Sequence, residues 1–190
     1  DLFRFHSAVS IADWSAIDDV VMGGVSSSRL RHDPAGHALF EGVVSLENNG
    51  GFASVRSRPR DLGAPGAVAY RVEVRGDGKR YKLNLRTDEA FDGVSYQAAF
   101  APPPGEWTTV RLPVSGFRPT FRGRVVAGAP PLDPARVRQI GLMIADGQAG
   151  AFALAIRAIG VEFGKDAMPR LDDGKARVAR ASGTLRDVLE

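Results

Sequence analysis

The stretch Ala67-Val-Ala-Tyr-Arg-Val-Glu-Val-Arg75 alternates between two kinds of side chain along its length. Val68, Tyr70, Val72 and Val74 fall on one side of an extended chain, whereas small and charged residues fall on the other. Successive side chains of a strand point to opposite faces, so a period of two is typical of a strand with one buried face. The stretch therefore predicts a β-strand that packs against a core.

The same signal recurs along most of the chain. Tyr81-Lys-Leu-Asn-Leu-Arg86 repeats the alternation after Gly76-Asp77-Gly78, which has the composition of a hairpin turn. Further strands are predicted over residues 37–46, 52–58, 93–101, 107–113, 139–145 and 151–163. Asn48-Asn49-Gly50-Gly51 tolerates positive φ angles, so the chain can reverse there and residues 52–58 would be the returning strand. Short strands with turn signals between them predict an all-β antiparallel sandwich or barrel.

The composition is that of one globular domain. Hydrophobic residues make up 44% of the 190 residues, charged residues 25%, and the formal net charge is +3. The chain has no cysteine, so disulfides and thiolate metal sites are excluded. No apolar run approaches the roughly 20 residues that cross a bilayer. We expect a cytoplasmic protein with no transmembrane segment, which reaches a membrane only through a protein partner.

Two regions differ in character. Residues 1–164 are predicted to form the sandwich domain. Residues 165–190 are charged and rich in alanine and arginine, with almost no aromatic content. This composition predicts a tail that is flexible or marginally helical.

The stretch from Trp14 to Ser28 reads W-S-A-I-D-D-V-V-M-G-G-V-S-S-S. It is too interrupted for a strand and too rich in glycine for a helix, so it predicts a shaped loop. Gly23 and Gly24 allow a sharp bend, and Met22 is expected to fill a gap at the edge of the sandwich. Three interpretations stay open for Asp19 and Ser26: they satisfy the amides of the loop itself, they form a recognition surface, or the carboxylates hold a cation.

A second candidate site follows from the alternation. If Tyr81, Leu83 and Leu85 point into the core, the polar residues between them share the opposite face. The residues expected on this face, if their strands are neighbours, are Arg56, Lys82, Asn84, Arg86 and Gln97, with Phe52 beside them. Amide and guanidinium groups next to an aromatic ring suit a glycan, an anion or an acidic partner segment. An ordinary solvated sheet face is the alternative. Asn48 and Asn49 are predicted to form a turn whose exposed amides offer another contact for a partner.

Several motifs in fixed order resemble the complex I intermediate-associated protein 30 domain family. The motifs are Trp14 with Asp18-Asp19-Val-Val-Met22-Gly23-Gly24-Val-Ser26, Leu46-Glu-Asn48-Asn49-Gly50-Gly51-Phe52, Arg75-Gly76-Asp77-Gly78, Ile140-Gly141-Leu142-Met143 and Gly150-Ala-Phe152-Ala-Leu154. The resemblance covers roughly residues 2–163 and is that of a bacterial-type single-domain member. It implies a galactose-binding-domain-like jelly roll. Mitochondrial members are assembly factors or chaperones of respiratory complex I, so it also implies a protein client among respiratory-complex subunits or assembly factors.

Three function classes remain. A non-enzymatic protein-interaction module is the expected one, a carbohydrate- or small-ligand-binding module using a concave sheet face is the alternative, and an enzyme of unrecognised type comes last. The sequence has no G-x-S-x-G elbow and no phosphate loop, and its three histidines lack the spacing of a metal cluster. We therefore expect no catalytic residue, no metal and no cofactor. Without a continuous basic stripe, we expect no nucleic-acid partner.

Overall fold

The computed structural model describes residues 1–89 and 93–164, without the side chains of Val21 and Met22. The predicted tail at 165–190 lies outside the described residues. The described strands are β1 (Phe3–Arg4), β2 (Trp14–Ala16), β3 (Ser27–Asp33), β4 (His37–Val44), β5 (Ala53–Ser57), β6 (Ala67–Arg75), β7 (Tyr81–Arg86), β8 (Ser95–Phe100), β9 (Trp107–Pro113), β10 (Arg118–Phe121), β11 (Arg124–Val125), β12 (Gln139–Ile144) and β13 (Gly150–Phe163). Short 3-10 helices lie at Ala8–Ile11, Asp19–Met22, Glu47–Asn49, Val114–Gly116 and Pro134–Arg136.

The strands form two antiparallel sheets. The six-stranded sheet has the order β3-β4-β13-β6-β9, with β1 paired to β13, and the seven-stranded sheet has the order β11-β10-β8-β7-β12-β5-β2. Two antiparallel sheets of this kind confirm the predicted β-sandwich.

The core lies between the two sheets. On β7, Tyr81, Leu83 and Leu85 are fully buried, as the alternation predicts. Phe40 of the six-stranded sheet packs edge-on against Tyr81, with 6.1 Å between ring centroids. Burial of each large side chain stabilises the fold by about 1.5–3 kcal/mol. The polar residues of β7 are thereby fixed on the outward face of the seven-stranded sheet.

The alternation on β6 fails at one end. Tyr70, Val72 and Val74 are buried, but Val68 is 40% exposed. The pairing of β13 with β6 shifts register between Glu162 and Phe163, close to the start of β6. The neighbouring Ala67 and Ala69 are buried instead, so this end of β6 turns its other face toward the core.

Two predicted reversals are wrong. Asn48 and Asn49 do adopt positive φ angles of 55° and 60°. However, β4 belongs to the six-stranded sheet and β5 to the seven-stranded sheet, so residues 52–58 do not return onto 37–46. Gly76-Asp77-Gly78 likewise joins β6 and β7 of different sheets and is no hairpin. Turn chemistry identifies where the chain bends, but the sheet that receives the next strand depends on later strands.

The predicted loop over 14–28 is shorter than expected. It begins with β2, passes through the 3-10 helix Asp19–Met22, and ends where β3 starts at Ser27. The irregular part is therefore residues 17–26, which connect the edge strand of one sheet to the edge strand of the other.

Candidate functional site

The outward face of the seven-stranded sheet carries a groove with a cavity of about 570 Å³. Its described lining comes mainly from β5, β7, β8 and β12, with additions from the loops at either end. The sequence-predicted residues that line it are Arg56, Lys82, Asn84, Arg86 and Gln97, with Phe52. The structure therefore brings the second candidate set together in one depression.

One row of residues crosses the floor of this groove. Arg56 on β5 pairs with Gly141 on β12, Gly141 pairs with Asn84 on β7, and Asn84 pairs with Gln97 on β8. Thus β5 and β7 are not direct neighbours, because β12 lies between them. Gly141 has no side chain, and a Cβ atom there would come within 2.9 Å of the backbone oxygen of Val55. The missing side chain therefore makes the groove floor deepest at Gly141.

Two carboxamides in the same row as Gly141 make only weak hydrogen bonds. Asn84 Nδ2 and Gln97 Nε2 each lie 3.8 Å from the sulfur of Met143, which is a weak acceptor. Asn84 Oδ1 is buried and has no hydrogen-bond partner among the described residues. Most buried polar atoms do have partners, so this enclosed oxygen is an exception to the usual pattern.

Ser95 gives a second such group. It lines the groove at the start of β8, is only 5% exposed, and its Oγ has no hydrogen-bond partner among the described residues. Its backbone oxygen, by contrast, accepts a hydrogen bond of 2.9 Å from Thr120 Oγ1. The backbone of Ser95 is thus held in place, whereas its hydroxyl is enclosed without a hydrogen bond to the described residues.

The lining is strongly basic. The basic side chains in the described lining are Arg56, Lys82, Arg86 and Arg122, and Asp146 is the acidic one. Lys82 Nζ lies 3.3 Å from Asp146 Oδ1, and Arg86 donates to the backbone oxygen of Gly93 at 3.1 Å. Basic side chains therefore outnumber acidic ones among the described lining residues.

The paired aspartates of the loop hold one end of the groove. Asp19 is fully buried, and its carboxylate accepts hydrogen bonds from Ser26 N at 2.9 Å, Ser26 Oγ, Gly51 N at 2.8 Å and Phe52 N at 3.3 Å. Asp18 accepts from Ser54 N at 3.1 Å and also binds Ser28. Phe52 and Ser54 line the groove. Asp18 and Asp19 therefore act as positioning residues for its rim.

Burial and hydrogen bonding move the two carboxyl pKa values in opposite directions. Burial raises the pKa of Asp18 and outweighs its hydrogen bonds with Ser28 and Ser54. Burial also pushes the pKa of Asp19 upward, but the hydrogen bonds from Ser26, Gly51 and Phe52 together bring it below its usual value. Asp19 is thus a buried, ionised carboxylate whose oxygens are already bound, which favours a self-satisfied loop.

The other residues predicted in the loops take several places. Ser26 is 2% exposed, so its side chain, like that of Asp19, does not reach the surface. Gly23 has φ +88°, whereas at position 24 crowding excludes a side chain, since a Cβ there would lie 2.5 Å from Asp19 Cγ.

Asn48 and Asn49 are exposed but do not line the groove. The expected role of Met22 falls on a side chain outside the described set. Across the described part of the chain, no three His, Asp or Glu residues are grouped closely enough to hold a metal.

Several lining residues were absent from the sequence-based set. They include Gly141, Met143, Gln139, Thr120 and Arg122. The alternation of buried Ile140, Leu142 and Ile144 carries the signal for the first three, because it places the intervening residues outward. This alternation gives no indication that β12 lies between β5 and β7 in the sheet.

Comparison with known proteins places the chain among its relatives. A family model described as complex I intermediate-associated protein 30 matches residues 3–156. The chain belongs to the complex I intermediate-associated protein 30 family. It is 30% identical over 168 residues to an uncharacterized protein of Schizosaccharomyces pombe, covering 77% of this chain and 76% of that one. It is 27% identical over 186 residues to the mitochondrial complex I intermediate-associated protein 30 of Drosophila melanogaster, covering 85% of this chain and 62% of the fly protein.

Solved structures share the fold of this family member. A family 11 carbohydrate-binding module of a Clostridium thermocellum cellulosomal cellulase superposes with a TM-score of 0.61 at 15% identity, covering 85% of this chain and 94% of the module. A family 11 module from the same organism in complex with a β-1,3-1,4-mixed-linked tetrasaccharide gives a TM-score of 0.58 at 16% identity, covering 83% and 94%. At these identities the likeness concerns the fold alone. No described helix has the length and apolar character needed to span a bilayer.

Proposed function

We propose that this chain is a non-enzymatic binding module that presents its groove to a protein client during assembly of a larger complex. Family membership supports a client from respiratory complex I or its assembly factors. The observation that carries the proposal is the groove itself, in which basic side chains and the carboxamides of Asn84 and Gln97 converge on one sheet face.

The groove is built to bind without rearrangement. Its floor consists of paired strands. Its rim is held by hydrogen bonds that Phe52 N and Ser54 N donate to the carboxylates of Asp19 and Asp18. A site fixed in this way loses little conformational entropy when a ligand docks, so more of the contact energy appears as affinity.

The proposal assigns no reaction to the chain. Asp18 and Asp19, whose pKa values are displaced, bind serines and backbone amides, and neither residue lines the groove. The cytoplasmic location expected from the sequence stays a prediction, as does the tail at 165–190.

Site-specific photo-crosslinking in the source cell tests this proposal. A benzophenone amino acid at Gln97 places the probe in the groove, and the same probe at the exposed Arg71 on the six-stranded sheet is the matched control. We expect Gln97 to yield crosslinks to respiratory-complex subunits or assembly factors that Arg71 does not give. Client crosslinks from Arg71 alone, or from neither position, would contradict the proposal.

A carbohydrate ligand is the second candidate. Sugar hydroxyls both donate and accept hydrogen bonds, which suits the carboxamides of Asn84 and Gln97 in the lining. The fold shared with family 11 carbohydrate-binding modules supports this candidate. Two observations oppose this candidate. Phe52 is the one aromatic side chain in the described lining that can support a sugar ring. Basic side chains outnumber acidic ones there, and a neutral glycan offers them no opposite charge.

Glycan-array binding distinguishes the two candidates. A carbohydrate module would bind specific glycans and lose that binding on Gln97→Ala or Arg86→Ala. We expect the protein to bind no glycan on the array.

A further inference from the structure

We propose that Met143 is a site of oxidation by hydrogen peroxide, at which the carboxamides of Asn84 and Gln97 hold the sulfoxide that forms. The site is a thioether in the groove on which two side-chain amide donors converge. This inference goes beyond the proposed binding function, because it concerns a chemical change in the chain itself.

Met143 lies where a small oxidant can approach it. It is an outward residue of β12, half-buried in the lining of the groove. The lining residues on either side of it in the chain, Gly141 and Ala145, are both small and leave the surroundings of its side chain uncovered. Hydrogen peroxide is little larger than water, and the susceptibility of methionine to it follows exposure. The thioether is therefore within reach of peroxide that enters the groove.

The donors around the sulfur distinguish Met143 from an ordinary partly exposed methionine. Asn84 Nδ2 and Gln97 Nε2 each lie 3.8 Å from the Met143 sulfur, which is the acceptor of both amides among the described residues. The three side chains come from the adjacent strands β12, β7 and β8. A thioether is a weak acceptor, so both hydrogen bonds are weak. Two donors thus point at an atom that binds them poorly.

Oxidation supplies the acceptor that these donors lack. A lone pair of the sulfur attacks one oxygen of hydrogen peroxide, so that the S–O bond forms as the O–O bond breaks. The departing hydroxide takes the proton of the transferred oxygen and leaves as water. The sulfur loses two electrons and the peroxide gains two. The product is a polar sulfoxide, whose oxygen accepts hydrogen bonds more strongly than the thioether sulfur.

The two carboxamides should offset the usual cost of this modification. A sulfoxide in apolar surroundings disrupts packing. At Met143 the new oxygen projects from an atom that already lies 3.8 Å from both amide nitrogens. A small adjustment of the side chains therefore gives two ordinary N–H···O hydrogen bonds. We expect the oxidised side chain to stay in place, bonded to β7 and β8.

Peptide mapping by mass spectrometry tests whether the oxidation occurs. The chain has three methionines, Met22, Met143 and Met168. The purified full chain is treated with dilute hydrogen peroxide, either folded or unfolded in urea, and the oxidation of Met143 is followed over time. Its rate in the folded chain should be within about tenfold of its rate in urea, because a thioether that lines a groove is accessible to peroxide. Slower oxidation would overturn the inference.

Thermal melting tests the role of the carboxamides. In a Met22→Leu, Met168→Leu background, Met143 is the only methionine. This protein and its Asn84→Leu, Gln97→Leu variant are each melted before and after oxidation, and the four values form a cycle that isolates the coupling between sulfoxide and amides. Oxidation should lower Tm by at least about 3 °C more in the variant that lacks the carboxamides. A smaller difference would overturn the inference.

Two further variants secure this comparison. Met143→Leu in the same background has no methionine, so its Tm should not change on peroxide treatment. A shift equal to that of the background protein would assign the effect to another residue and overturn the inference. If the variant with both substitutions does not fold, Gln97→Leu alone replaces it, because Gln97 is half-buried on the outward face. The difference in Tm should then be at least about 1.5 °C, and a smaller one would again overturn the inference.

Oxidation would also change what the groove offers to a client. The sulfoxide oxygen would take up both amide donors and add a polar group to the lining. This consequence rests on the proposed function, whereas the oxidation itself does not. If Gln97 crosslinks to the client in cells while Met143 resists peroxide, this inference is wrong and the proposed function stands. If crosslinking at Gln97 fails while Met143 is oxidised as expected, the proposed function is wrong and the oxidation site stands.

Discussion

The backbone of Gly24 lies directly against the carboxylate of Asp19. A Cβ atom at position 24 would stand 2.5 Å from both Cγ and Oδ1 of Asp19, and Gly24 N donates to the Asp19 backbone oxygen at 2.8 Å. Gly50 is equally close, since a Cβ there would come 2.6 Å from Asp19 Oδ2. The buried carboxylate is thus enclosed by two residues that leave it room only because they lack side chains.

Gly24→Ala should destabilise the protein by about 2 kcal/mol or more, because the added methyl group displaces a buried, fully bonded carboxylate. Gly116→Ala is the matched control, since a Cβ at position 116 meets nothing within 4 Å and should change stability by less than about 0.5 kcal/mol. Urea unfolding measures both. Equal free energies of unfolding for the two variants would contradict the enclosure of Asp19.

Gly23 acts through its backbone conformation. Its φ is +88° and a Cβ there would meet nothing within 4 Å, so strain rather than crowding determines the cost of substitution. Gly23→Val should lower the free energy of unfolding by about 1–2 kcal/mol. Gly23→Asn should cost clearly less, because asparagine tolerates the left-handed region. Thermal melting of the pair checks the order, and a valine variant as stable as the asparagine variant would refute it.

Asp19→Asn should destabilise the fold by about 2–4 kcal/mol at neutral pH, because it replaces a buried acceptor of several hydrogen bonds with a group that also donates. Folding lowers the pKa of Asp19, so the ionised group stabilises the protein above its unfolded pKa of about 3.9. That contribution is lost as pH falls through the folded pKa. The gap between wild type and Asp19→Asn should therefore narrow below about pH 4, as measured by urea unfolding from pH 3 to 7. The exposed Asp13→Asn is the control and should leave stability nearly unchanged across this range.

Asp18→Asn should show the opposite pH dependence. Burial raises the pKa of Asp18 in the folded protein, so its stabilising contribution is fully present below about pH 3.9 and is lost as pH rises through the folded pKa. The gap between wild type and Asp18→Asn should thus widen on acidification. Parallel pH profiles for the two asparagine variants would show that the adjacent carboxyls are in equivalent environments.

Ser95→Ala should leave stability unchanged or raise it by up to about 1 kcal/mol, because it removes a buried hydroxyl that has no partner among the described residues. Thr120→Val is the comparison: it removes a hydroxyl that donates to Ser95 O at 2.9 Å and should cost about 1 kcal/mol. Chemical denaturation of both variants tests the difference. A destabilised Ser95→Ala variant would mean that the hydroxyl stabilises the folded protein.

Side-chain alternation made the faces of the strands predictable. Tyr81-Lys-Leu-Asn-Leu-Arg86 forms a strand with the expected bounds and the expected inward residues. The groove residues on β5, β7 and β8 follow from the same rule, since a buried neighbour on each side leaves the residue between them facing outward.

Side-chain alternation does not predict the order of strands in a sheet. Nothing in the local pattern of residues 139–144 shows that they separate β5 from β7, so the central place of Gly141 was not foreseen. The strand Ser27–Asp33 was missed because it is mostly polar and lies at the edge of its sheet, where alternation with a buried face is weak. Long-range pairing decides both features, and a single sequence does not encode it locally.

In both sheets an inner strand follows its two neighbours in sequence: β13 lies between β4 and β6, and β12 lies between β7 and β5. While the ribosome is still making residues 139–163, the earlier strands have emerged without the partners that will join them. Neither sheet is complete until translation has passed residue 163. A nascent chain that stalls earlier exposes several unpaired strand edges to other polypeptides.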